Sequence, residues 1–99
     1  MRGDDFAGSK VARDLQKKIP ADQNRLILDT GPAPENFTGP IRRFAPDLVI
    51  LVDAADMGAD PGEIRWLDWK DTQGLSATTH TLPPYVLAGF LTQEVNCKV

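Results

Sequence analysis

The sequence has one cysteine and one histidine, so thiolate and imidazole ligands for a metal are scarce. A lone Cys97 closes no intramolecular disulfide and, without clustered partners, builds no structural zinc site, so the fold must rest on its core. Positive charge is also scarce: 11 Lys and Arg stand against 14 Asp and Glu, a net charge of −3, with no basic cluster interleaved with aromatics. That excludes nucleic acid as the main partner, because phosphate neutralisation needs a basic stripe. No apolar run approaches the roughly 18 to 20 residues of a membrane span, and no basic-then-apolar signal segment opens the chain. The expectation is a cytoplasmic protein with no membrane partner. Internal repeats, the GxGxxG and Walker phosphate-binding patterns and the GxSxG nucleophile elbow are all missing. What is left, at 99 residues with 41% hydrophobic and 25% charged side chains, is a single small globular domain, residues 1–99, with a modest core.

The most informative stretch is LVILVDAADMGADPGEIRWLDW, residues 48–69. Its first five residues, 48–52, form an unbroken aliphatic run, the pattern of a parallel strand covered on both faces, and Asp53 follows at the carboxyl end. That end is where open α/β sheets place their ligands. The next strand-like run, residues 63–69, follows too closely for a parallel crossover and is expected to run antiparallel to the first. Asp56 and Asp60 lie between them, with Gly58, Pro61 and Gly62 supplying turn chemistry.

Elsewhere the chain alternates helix and strand signals. Helical spacing covers residues 9–19, with Ala7, Val11, Leu15 and Ile19 on one side, and Pro20 ends it. Lys10, Arg13 and Lys17 recur on the other side as a solvated face. Residues 25–28 (RLIL) read as a short strand running into Asp29, Thr30 and Gly31. A loop through residues 31–40 and a short helix near residues 41–44 lead to the central strand, and strand–helix–strand implies a right-handed parallel crossover. After a polar loop, Thr81 is a candidate N-cap for an apolar helix over residues 85–95 that contains Leu87, Phe90 and Leu91. Residues 96–99 look like the start of another strand. The expected fold is therefore α/β, a three-layer sandwich: a twisted, mostly parallel sheet with one antiparallel strand, helices on both faces, and its first and last strands missing.

Three residues with chemistry stand at element boundaries: Asp5 before the first helix, Asp53 after the central strand, and His80 before the last helix. Two carboxylates and one imidazole form a hard-to-borderline donor set suited to nickel, zinc or iron with open positions. Each also has an ordinary structural role available, as helix cap, turn residue or hydrogen-bonded histidine.

Four segments in order, GDDFAG (3–8), GPAPEN (31–36), VDAADMGADPGEIR (52–65) and TTHTLP (78–83), resemble the hydrogenase maturation endopeptidases. Within them the chain is most similar to the branch that processes the large subunit of the formate hydrogenlyase hydrogenase, hydrogenase 3. The resemblance implies an aspartic-type endopeptidase that removes a C-terminal extension from the precursor of a nickel-iron hydrogenase large subunit after nickel insertion. It implies no tightly bound cofactor, nickel being read in the substrate, and it places the catalytic and nickel-recognising roles on Asp5, Asp53 and His80. Phe6 departs from the pattern, standing where the family has glycine. Two other readings remain open at this level. One is a zinc-dependent hydrolase using the same three residues to activate water. The other is an inactive piece acting as a binding module.

Overall fold

The computed structural model describes residues 7–20, 22–53, 63–74 and 82–99. Its described part holds three α-helices, α1 (Ala7–Lys18), α2 (Thr38–Phe44) and α3 (Pro84–Glu94), with short 3-10 turns at Pro34–Phe37 and Trp69–Thr72. Helices joined by extended segments, with few strand pairings, are compatible with a small α/β domain. None of the described helices is long and apolar enough to cross a membrane.

The core forms around α3. Pro84 opens the helix at a position where its missing N–H costs nothing, and Val86 and Leu87 both donate to the Pro83 carbonyl. Pro83, without any side-chain cap, occupies the N-cap position that was expected of Thr81, a residue outside the described ones. Leu87, Ala88 and Leu91 are buried, and Cys97 folds back so that its Sγ lies 3.7 Å from the Leu91 carbonyl. Phe90, expected in the core, is 38% exposed, because at helical spacing it lies off the Leu87–Leu91 stripe. Ile41 of α2, together with Val49, Leu51, Leu82, Val95 and Val99, packs against this cluster. Trp69 and Tyr85 pair with ring centroids 5.4 Å apart.

The strands are where expectation and structure part. Among the described residues, 25–28, 48–52 and 63–68 form no ladder, and pairing is limited to an antiparallel Asp22–Arg25 bridge and a parallel Leu48–Lys98 bridge. In the second of these, Val49 donates to the Lys98 carbonyl at 2.7 Å and Lys98 to the Asp47 carbonyl at 3.0 Å. The tail at 96–99 does therefore begin a pairing, and it does so in parallel with the central segment. Residues 48–52 keep the period-2 alternation of a strand but are covered on one face only. Val49 and Leu51 join the core, while Leu48, Ile50 and Val52 stay about half exposed. The run 63–69 is corrected further: Ile64 and Trp66 are 90% and 85% exposed, and Trp69 opens a 3-10 turn capped by the Asp68 carboxylate accepting from the Lys70 N–H. An alternating pattern predicts which face would be buried, but a strand needs a partner for its backbone groups.

The region expected as loop over 31–40 is also more regular than it reads. Pro34 starts a 3-10 turn that feeds straight into α2, and Gly39 and Pro40 sit in the first turn of that helix, where breakers are tolerated. Ala45 ends α2 in the left-handed region at φ 55°, its N–H reaching back to the Ile41 and Arg42 carbonyls. Pro46 then prevents continuation.

Candidate functional site

Helix α1 begins against the end of the central segment. Its Gly8 lies so close to the Val52 carbonyl oxygen that a Cβ there would clash, so the absence of a side chain is what lets the helix start and the segment end meet. One turn on, Arg13 approaches Asp29 at 4.0 Å, and Gln16 donates from Nε2 to the Ile27 carbonyl at 2.8 Å. These contacts hold α1 along residues 27–29. Ser9, from the same first turn, is hydrogen-bonded to Asp29, and that bond is the main reason the Asp29 carboxyl is held below the usual carboxylate range. Partial burial works against it, while the Gly31 N–H and the Arg13 guanidinium add to it. Gly31, at φ 58°, turns the chain so that its N–H points back to Asp29 Oδ1 at 3.3 Å.

A groove of about 490 Å³ opens between these elements. α1 supplies Val11, Ala12 and Leu15, residues 25–28 form one wall and 48–52 the other, while Leu82 and Leu87 close it from the side of α3. Ser9, Asn24, Arg25, Thr30 and Asp53 are its polar lining residues.

Of the three candidate residues, Asp53 is therefore placed: it is exposed, follows the central segment directly, and lines the groove beside the α1 start. Asp5 and His80 lie outside the described residues. Their described neighbours Gly8 and Leu82 line the same groove. Among the described residues no three His, Cys, Asp or Glu side chains come together to hold a metal ion.

The Ser9–Asp29–Arg13 cluster was not legible as a unit. Arg13 reads from spacing as one of three solvated cations; it remains largely exposed but leans toward Asp29, while Lys10 pairs with Asp14 one turn away at 3.5 Å. The signal that could have found the cluster is Ser at the third position of a helix that must pack beside an Asp-Thr-Gly turn. Spacing along one helix does not reveal that. Cys97, the other group with a shifted titration, has its thiol pushed up by burial against α3, which makes it a packing residue and a poor nucleophile.

Comparison with known proteins adds what geometry alone does not. A family profile described as hydrogenase maturation protease matches residues 9–97. The hydrogenase 3 maturation protease of Escherichia coli K12 is 39% identical over 96 residues, covering 96% of this chain and 60% of its own length. Its counterpart in Escherichia coli O157:H7 matches to the same extent. A Methanocaldococcus jannaschii protein whose name carries the same family is 26% identical over 105 residues, covering all of this chain and 62% of its own. No solved structure matches. The chain thus spans about 60% of the length of the curated relatives it matches. With a profile match running from the first turn of α1 to Cys97, the chain belongs to the hydrogenase maturation protease family.

Proposed function

We propose that the parent protein is an endopeptidase that removes the C-terminal extension of a nickel-iron hydrogenase large subunit once nickel is in place. Asp5, Asp53 and His80 read that nickel and carry the cleavage. The observation that carries the reading is the position of Asp53, at the end of the central segment and on the groove that Gly8 and Leu82 also line. In the sequence Asp5 stands three residues before Gly8 and His80 two residues before Leu82. Two carboxylates and an imidazole suit a borderline cation presented by the substrate, with the metal as cargo of the precursor rather than a resident cofactor. The large-subunit precursor is the partner, the reaction needs neither nucleic acid nor membrane, and the cytoplasm is its place. A three-layer sandwich belongs to the same reading, supported by the parallel Leu48–Lys98 bridge on one side of the central segment.

The test is to offer nickel-loaded and nickel-free large-subunit precursor and to follow loss of the extension by mass spectrometry. Cleavage of the loaded form alone is expected, and its loss in Asp53→Asn and in His80→Ala with unchanged circular dichroism. Equal cleavage of both precursors overturns the nickel checkpoint, and stoichiometric zinc in the active protein would favour a metal hydrolase instead.

A further inference from the structure

We propose that residues 63–68 form a self-complementary surface on which a second copy of this chain docks antiparallel, with the two-fold axis at Ile64. This inference is independent of the peptidase reading.

Residues 63–68 are all exposed, and Ile64 and Trp66 are the most exposed large apolar side chains among the described residues. Two residues apart in an extended chain, these two stand on one face. Glu63 and Arg65, ion-paired with each other, stand on the opposite face. Among the described residues, 64–67 make no backbone–backbone hydrogen bond. The far end of the segment is anchored: Asp68 caps the 3-10 turn Trp69–Thr72, and the Trp69 ring packs on Tyr85 of α3. An apolar face, a charged face and a backbone edge are thus presented together from a fixed base. Large aromatic side chains held this way are what protein interfaces bury at their centres.

The order of the charges selects the occupant. An exposed edge is ordinarily blunted by a charge that a second copy repeats and so repels. Here Glu-Ile-Arg read in reverse is Arg-Ile-Glu. A copy laid antiparallel about an axis at Ile64 therefore sets its Arg65 opposite Glu63 and its Glu63 opposite Arg65, giving two cross-strand pairs of opposite charge. On the other face Ile64 meets Ile64 of the second copy, and each Trp66 reaches diagonally over the isoleucine across from it. Neighbouring registers lose this match: an axis at Arg65 opposes the two guanidiniums, and an axis at Trp66 sets Ile64 against Asp68. A polyanion or a polycation would suit one of the two charges and oppose the other. The contact is small beside a standard interface, so the association is weak and depends on concentration.

Sedimentation equilibrium of the 99-residue chain, from micromolar to millimolar concentration, should show a monomer–dimer equilibrium. Arg65→Glu and Glu63→Arg alter exposed side chains, so each should keep the native melting curve while raising the dimer Kd about tenfold or more. Mixed in equal amounts, these two variants should dimerise again, because every acid then faces a base. The double reversal Glu63→Arg/Arg65→Glu in one chain should do the same. Under mild oxidation Ile64→Cys should give a covalent dimer, since residues paired across the axis lie within disulfide reach, whereas Trp66→Cys should not. The native chain, whose Cys97 is buried, serves as the control. A chain that stays monomeric at millimolar concentration would overturn the proposal. So would dimers indifferent to either charge reversal, a mixture of the two variants that associates no better than each alone, or cross-linking of Trp66→Cys in place of Ile64→Cys.

Discussion

Leu91 on α3 has no exposed surface, whereas Ile50 in the middle of the most apolar run of the chain is 58% exposed. The two belong to regions built from the same kinds of residue. Around α3, aliphatics from α2, the central segment and the C-terminal tail converge on Leu87, Leu91 and Cys97, and the backbone of the tail pairs with Val49. Around α1, equally apolar side chains line a groove whose walls do not pair with each other. Hydrophobicity sets how much a side chain gains from burial, but the gain is realised only where another element arrives to cover it. Among the described residues, one half of the domain has that element and the other does not.

The difference can be broken most forcefully from the packed side. Leu91→Ala removes a fully buried side chain from the centre of the cluster and should lower the free energy of unfolding by about 2 to 5 kcal/mol in urea titrations. A loss below about 1 kcal/mol would mean that this half is no better packed than the other. Gly8→Ala should cost about 1 to 3 kcal/mol, because the new methyl group meets the Val52 carbonyl oxygen and pushes α1 off the central segment. A neutral result in the same titration would show that α1 is free to shift.

The α1 side also carries a pH signature. Asp29 is held below its ordinary value, chiefly by Ser9, so its contribution to stability is fully present above the usual aspartate range and is lost as pH falls through the lowered folded value. Thermal melts from about pH 6 down to about pH 2 should therefore show a steeper acid loss for the native chain than for Asp29→Asn, which has no such charge to lose. Parallel curves would remove Asp29 from the contacts that seat α1. The smallest effect is expected in the open groove: Ile50→Ser should change unfolding free energy by no more than about 0.5 kcal/mol, since it gives up little burial. A loss comparable to that of Leu91→Ala would erase the contrast between the two halves.

Much of the local structure was legible from residue order. The 3.6-residue spacing of Ala7, Val11, Leu15 and Ile19 places α1 within two residues of its observed limits, and the prolines before Tyr85 mark the start of α3. The position of Asp53 was legible in the same way, as a carboxylate directly after an aliphatic run. The four family-like segments pointed to the family that the profile match bears out. What residue order did not reveal is the asymmetry of the central segment. LVILV reads as buried on both faces, yet only Val49 and Leu51 reach the core. Nor did it reveal that Ile64 and Trp66 stand in solvent, or that Ser9, Arg13 and Asp29 meet.

The sequence by itself determined the limits of α1 and α3 to within about two residues, since prolines and apolar spacing act within a few residues of one another. It also determined which side chains have burial to gain and which carry charge. Only the tertiary structure decided which of those apolar faces found a partner, because strand pairing and core burial join residues such as Leu48 and Lys98 that are distant in the chain. Hydrogen bonds across that distance depend on the elements present to make them, and no local pattern encodes their presence.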